Sequence, residues 1–506
     1  MRTVWKLLAI VACTLILTQP EQVGTAYAQG KVPPKGQAAD VPIGADPNVD
    51  EFNPTVAANP VNTNNLVAGS EYNTNTINSC VVYTSSDGGQ TWTDPFTMPL
   101  LSEISQCSNP VVAYAPDGSR VYYVYMDMKS TFEYVGEDWR NTFDGDILVS
   151  TSNDNGSTWT APVVALDGEE SSFLYDTEAG EYIDVQEGYE FDRPWISTPQ
   201  DAAEKNWVYI TATRLDHKVD SPTACFHINF VSSDDGGSTW AEPVSLDQST
   251  GSCDDFYGML VHGARPAGGM GGNVLAAWYH SGSDGMGVGE FEIRTRYSND
   301  HGSTWNDIVT VVTDSHEIPL WWIVGPFVRQ SGAMFPDVEI DGKGGAHIAY
   351  VHDPYRPVEG ADEAENGDIR YTTSTGTPYE DWSAPVTVND DEMMRTQGWP
   401  ALETQMIKKK VYVYLMWADF RLSPDGTPAV FYDIFAARKR AGSSKWSANW
   451  RVSDASSYVE WGYFGDYFDL TANKDLVYGV WIDRRDVTDP YEMEDDVFGS
   501  WLLPRR

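Results

Sequence analysis

An eight-residue pattern, S-x-D-x-G-x-T-W, occurs four times in this chain, at Ser85–Trp92, Ser152–Trp159, Ser233–Trp240 and Ser298–Trp305. Each residue type suits a tight hairpin. The Asp accepts backbone N–H bonds across the turn, the Gly adopts a positive φ, and the Trp packs between neighbouring sheets. Degenerate copies end at Trp382 and Trp446, which sets a period of about 70 residues. A period of that length holds one four-stranded antiparallel unit that cannot bury its own faces, so the units must stack.

The rest of each period agrees. A short apolar strand follows a polar loop seven times, at Pro54–Ala57, Pro110–Ala113, Arg193–Ile196, Tyr257–Leu260, Phe335–Val338, Trp399–Leu402 and Tyr467–Leu470. Second strands such as Asn206–Ile210 and Val411–Leu415 come next, then a third strand leading into the turn and a fourth such as Ala161–Val164. No sustained helical periodicity interrupts them. The pattern predicts an all-β, seven-bladed β-propeller spanning 39–506 as a single domain. Its last blade ends at the third strand, Asp496–Trp501, so Ala39–Ile43 is expected to supply the missing fourth strand and close the ring.

Residues 1–28 read as a secretory signal, with Arg2 and Lys6 before the apolar run Leu7–Leu17 and an A-x-A site at Ala26–Ala28. Residues 29–38 read as a flexible leader, and no later apolar run is long enough to span a membrane. A lipoprotein-like box, Ile10–Cys13, is the weaker reading of the same segment. The expected product is secreted or periplasmic, and monomeric. Cleavage near Ala28 leaves four cysteines for an oxidising compartment, and their repeated placement around the turns predicts the pairs Cys80–Cys107 and Cys225–Cys253. With 33 Lys plus Arg against 74 Asp plus Glu and a net charge of −41, the chain has no basic footprint for nucleic acid or an anionic membrane.

The four turns resemble the Asp-box, or BNR, repeats of the sialidase-like superfamily, and the resemblance covers about the whole mature chain. It implies a propeller whose ligand site lies on the face opposite the Asp boxes. Sialidases of that superfamily have six blades, an Arg-Ile-Pro motif, three carboxylate-clamping arginines, a Tyr–Glu nucleophile pair and an Asp acid/base. This chain has seven apparent blades and no Arg-Ile-Pro; its nearest match is Asp192-Arg193-Pro194-Trp195. Authentic exo-sialidase activity is therefore not expected.

In a propeller, the loops before each inner strand and those after each second strand share one face around the channel. The candidate catalytic residues there are Asp255, Glu460, Tyr463 and Asp466, and the candidate substrate-binding residues are Arg193, Arg214, Tyr257, Arg395, Trp399 and Arg485. Carboxylates beside Tyr and Arg suit a glycosidase acid and base, or a tyrosine nucleophile. His280 or His352 with Tyr463 would instead suit a polysaccharide lyase. The repeated Trp-x-Asp-x-Arg at Trp417–Arg421 and Trp481–Arg485 reads as blade packing. Acidic third-strand starts such as Asp144-Gly145-Asp146 suit Ca²⁺ only weakly, so no cofactor is expected. The sequence thus points to a glycosidase-like, carbohydrate-active protein acting on an extracellular oligo- or polysaccharide. The alternative is a non-catalytic propeller that binds carbohydrate or protein.

Overall fold

The computed structural model describes residues 39–44, 46, 49–74, 78–178, 181–217, 224–249, 261–281, 291–314, 328–329, 335–352, 367–391, 395–423, 431–458, 462–463, 465–485 and 495–503. Seven antiparallel sheets form the blades of a propeller. Their inner strands are Asp50–Ala58, Gln106–Tyr114, Gly188–Ser197, Val261–Gly268, Asp337–Ile340, Gln397–Ile407 and Asp469–Ala472.

Ring closure follows the sequence expectation. Val41–Gly44 pairs antiparallel with Asp496–Trp501, the third strand of blade 7, and supplies its outer strand. Side chains lock this joint. Asp40 and Asp454 exchange backbone amide to carboxylate bonds at 3.1 and 2.7 Å, and Arg485 donates to Asp40 at 2.7 Å and to Asp454 at 2.6 Å. Arg485 also forks onto Asp483 at 2.9 and 2.7 Å, while the Trp481 indole donates to the same carboxylate at 3.0 Å. Blade 6 repeats the arrangement with Trp417, Asp419 and Arg421, whose guanidinium continues to Asp390 at 3.0 Å.

The four S-x-D-x-G-x-T-W turns share one geometry. In each, the Thr hydroxyl donates to the Asp carboxylate at 2.7 Å, and the Gly amide donates to the Ser hydroxyl at 2.8–2.9 Å. The motif glycines have φ of 82° to 86°. A side chain at Gly302 would meet the Phe230 ring of the preceding blade, against which Trp305 packs edge-on at 4.8 Å. The Thr158 and Ser152 hydroxyls, with the Thr158 amide, hold Asp154 below the usual carboxylate range.

Two features depart from the sequence reading. The inner strand of blade 4 is Val261–Gly268, whereas the expected Tyr257–Leu260 lies outside the described residues. The proline that opens five of the other inner strands is replaced here by Ala264, which hides the strand start. Blade 2 carries a hairpin, Ser171–Asp176 and Glu181–Gln186, that adds two strands to its sheet. Among the described residues, no helix is long and apolar enough to cross a membrane.

Cys80 and Cys107 form a disulfide between the third strand of blade 1 and the inner strand of blade 2, and both are fully buried. Of the second expected pair, Cys253 lies outside the described residues. Removing the Cys80–Cys107 loop constraint as the double alanine variant is expected to cost about 3–4 kcal/mol in equilibrium unfolding, on the chain-entropy estimate. Replacing Arg485 by Lys keeps the charge but loses the fork that binds three carboxylates. It is expected to lower the melting temperature, whereas the same change at exposed Arg440 is expected to leave it unchanged.

Candidate functional site

Before the fold can place functional groups, each inner strand must turn its side chains toward the channel. Five do so with a bulge at a common register, between Phe52 and Thr55, Ser108 and Val111, Asp192 and Trp195, His262 and Arg265, and Gly398 and Ala401. The bulge residue has positive φ each time: Asn53 51°, Asn109 52°, Arg193 51°, Gly263 62° and Trp399 54°. Asn tolerates this region and Gly is free in it, but Arg and Trp are held there against a backbone preference. Four of the five precede proline, which has no N–H to offer the ladder.

The bulges of blades 1 to 4, together with Asp466 of blade 7, assemble a hydrogen-bonded ring from five blades. Asn53 donates to Glu71 at 2.6 Å and to Asn109 at 3.0 Å, and Asn109 donates onward to Asp192 at 3.0 Å. Arg193 pairs with Asp466 across the channel at 2.5 Å, and its Nε donates to His262 Nε2 at 2.8 Å. That bond makes His262 Nε2 the acceptor, so Nδ1 carries the proton toward the Thr213 hydroxyl, 2.7 Å away. Asp466 receives no freedom from its neighbours either, since its own amide donates to Asn53 at 2.6 Å.

Within the ring two carboxyls differ from the rest. Burial pushes Glu71 above the usual carboxylate range, against three bonds to one of its oxygens from the Asn109 amide, the Ser108 hydroxyl and the Asn53 side chain. Its second oxygen has no hydrogen bond among the described residues. Asp192 is the accessible member: its side chain is 24% exposed, whereas those of Arg193 and Asp466 are 6% and 4% exposed. A carboxyl raised by burial, joined through Asn109 to one open to solvent, places two carboxyls in unlike environments, the arrangement that separates an acid from a base.

Beneath the ring the channel is filled. Tyr467 reaches from blade 7 to Pro110 O at 3.3 Å and meets Trp195 edge-on at 5.1 Å, while Arg265 covers Trp195 at 3.6 Å and pairs with Asp337 at 2.9 Å. A cavity of about 370 Å³ lies below this plug, toward the face of the turn motifs, lined in part by Ala57, Ser197, Glu339, Glu403 and Asp469. Trp195 of the plug lines this cavity on the ring side, and its carboxyls Glu403 and Asp469 are occupied in capping backbone amides of Ala472 and Val56.

Of the residues expected from sequence, Arg193 and Asp466 meet in this ring. Trp399 is buried, stacks on Phe468 and donates to Gly465 O at 3.2 Å, joining blades 6 and 7. Arg485 belongs to the closing joint. Arg214 lies over the Tyr189 ring at 3.6 Å and donates to Asp216 at 2.5 Å, at the rim of blade 3. Arg395 is half-buried ahead of blade 6. Asp255, Tyr257 and Glu460 lie outside the described residues; Tyr463 sits in a short parallel pairing with Arg329, and its side chain is outside them too. His280 and His352 are buried, and burial holds His280 below the usual imidazole range. Sequence reasoning did not assign roles to Asn53, Glu71, Asn109 or His262; the repeated Asn-Pro at Asn53 and Asn109 was the available signal. Among the described residues, no group of three or more His, Cys, Asp or Glu is arranged to hold a metal ion.

No protein-family model matches the chain, and none of the curated proteins does. Among solved structures, an ulvan lyase of a polysaccharide lyase family is similar at a TM-score of 0.46 and 11% identity, over 92% of this chain and 96% of that one. The leech intramolecular trans-sialidase is similar at 0.39 and 13%, over 93% and 70%. A protein of unknown function from Dyadobacter fermentans is similar at 0.44 and 15%, over 79% and 97%.

Several carboxyls outside the ring are raised as well. Burial lifts Asp40 and Asp469 to about 7 and Glu51 to about 8. Each binds its proton more tightly folded than unfolded, so its contribution is complete below the unfolded value near 4 and is lost as pH rises through the folded value. The melting temperature is therefore expected to fall from about pH 5 to pH 8. Asp469→Asn should make that decline shallower; an unchanged slope would remove Asp469 from the linkage.

Proposed function

We propose that this chain is a secreted, carbohydrate-active propeller that hydrolyses an extracellular glycan at the ring of blades 1, 2, 3, 4 and 7. The observation that carries this reading is geometric: one asparagine, Asn109, joins buried Glu71, which accepts its backbone amide at 2.7 Å, to the solvent-accessible Asp192, which accepts its side-chain amide at 3.0 Å. The resemblance of the turn motif to Asp-box repeats supports it, and so does the Cys80–Cys107 disulfide, which suits an exported protein.

In this reading Glu71 gives its proton to the leaving glycosidic oxygen. Asp192 takes a proton from the water that attacks the anomeric carbon. Arg193, held by Asp466 and His262, fixes the position of Asp192 and orients sugar hydroxyls. Asp255, Tyr257, Glu460 and Tyr463, which precede His262 or Asp466 by three to seven residues in sequence, are proposed as further members of the same site. Arg214 and Arg395 would line the rim.

The test is release of reducing ends and of 235 nm absorbance from a panel of sialosides, arabinans, galactans and uronate-rich polymers. Reducing ends without new absorbance are expected. Glu71→Gln should lower kcat by about 10²–10⁴ with little change in KM and abolish the alkaline limb of the pH profile. New absorbance would mean elimination, and silence over the whole panel with retained binding would favour the non-catalytic propeller.

A further inference from the structure

One sheet extends beyond the propeller, on blade 2. Its second and third strands, Val121–Val135 and Asp138–Ser152, run 15 residues each, against 6 to 10 in the corresponding strands of the other blades. Their register is unbroken from Val121↔Ser152 to Val135↔Asp138. On the outer half, Ser171–Asp176 pairs with Trp139–Phe143 and in turn with Glu181–Gln186. The result is a four-stranded antiparallel sheet at the second-strand exit, on the side of the molecule that carries the polar ring.

Register partners in an antiparallel sheet project from one face. Tyr134, Trp139, Tyr175 and Tyr182 are successive partners, so each strand contributes one aromatic ring to a single row. Phe132 and Phe173 lie on the same face two residues nearer the blade. The rings touch in sequence: Phe132 with Trp139 at 5.9 Å, Trp139 with Tyr175 at 4.9 Å and Tyr175 with Tyr182 at 5.2 Å. Phe173 then stacks on His217 at 6.0 Å, at the end of the second strand of blade 3, and that strand also carries Arg214 over Tyr189. The ring contacts therefore lead from the tip of the sheet to the rim beside Asp192.

None of the rings in the row belongs to a core between blades. Tyr134 is 76% exposed and Phe132 56% exposed, the two most exposed aromatic side chains among the described residues. Exposed apolar surface that contributes to no core marks an interaction face. The charge around it selects the partner. Glu133, Glu137, Asp138, Asp176 and Glu178 border the sheet, and its cations are already neutralised, Arg140 by Asp184 at 2.8 Å and Lys129 by Glu170 at 3.3 Å. A polyanion is repelled there. A neutral sugar chain offers C–H faces to the rings and hydroxyl donors to the carboxylates.

We propose that this aromatic sheet is a second binding surface, which holds a neutral polysaccharide chain beside the central ring. The proposal rests on the carbohydrate reading above and names its substrate class: an uncharged polymer that extends past the reacting bond. The full chain is run through native gels containing arabinan, galactan or β-glucan, and through gels containing alginate, polysialic acid or chitosan. Retardation by at least one neutral polymer and by neither polyanion is expected. Phe132→Ala/Tyr134→Ala should weaken that retardation about tenfold, with melting temperature and turnover of a short oligosaccharide unchanged.

Equal retardation of this variant and the wild type would overturn the proposal, as would retardation by chitosan or polyanions alone or by no polymer. Glu71→Gln separates the two sites. Lost turnover with full retardation supports a distinct surface, while lost retardation with Glu71→Gln and not with the aromatic variant would place the polymer in the ring and overturn it. If no polymer is cleaved yet the aromatic variant still loses retardation, the hydrolytic reading fails and the binding surface stands.

Discussion

A propeller has no core until its ring is closed, because every blade buries its faces only against two neighbours. Here the closing contact is the pairing of Val41–Gly44 with Asp496–Trp501, clamped by Arg485 between Asp40, Asp454 and Asp483. The placement of Asp466 and Asn53 depends on it. Asp466 belongs to blade 7 and Asn53 to blade 1, and their bond at 2.6 Å crosses the seam that this joint holds shut. The polar ring at the mouth of the channel therefore exists only as long as the first and last strands stay together.

The channel is divided by chemistry as well as by shape. Bulges at one register turn Asn53, Asn109 and Arg193 inward and build the polar ring. Past the bulge, the channel-facing positions bring Trp195, Arg265 and Tyr467 together as a plug. A step further, small residues such as Ala57 and Ser197 leave the lower cavity open. Size and polarity thus change level by level along the inner strands. The accessible carboxyl, Asp192, and the buried one, Glu71, fall in the upper level, on the face away from the turn motifs.

Sequence and structure agree where the determinants are local. The Asp, Gly, Thr and Trp of each turn bond within eight residues, so four similar segments gave the repeat and the fold class, while seven recurring apolar strands gave the blade number and a last blade ending at its third strand gave the missing outer strand. Blade 4 was misplaced because Ala264 stands where five of the other six blades carry proline. The ring itself was only half legible. Arg193 and Asp466 stood out as charged residues at strand starts, but Asn53, Asn109 and His262 acquire roles only from the bulges that aim them across blades. Glu71 is legible in sequence only as a second-strand exit on the channel face, with no role assigned, and becomes notable through burial. Arg485 and Trp399 have side-chain chemistry suited to a sugar site, yet Arg485 packs with Asp483 as its repeated Trp-x-Asp-x-Arg motif implied, and their remaining partners, Asp40 and Gly465, are distant along the chain. The aromatic row on blade 2 was invisible because its members meet through register, across four strands.

The most direct measurement is a crystal structure of Glu71→Gln grown with an oligosaccharide that the wild type cleaves. The expected result is a sugar seated over Asp192 and Arg193, with a glycosidic oxygen within hydrogen-bond reach of the residue 71 side chain. An oligosaccharide bound instead in the cavity near Glu339 and Glu403, with the ring unchanged, would contradict the assignment of the site.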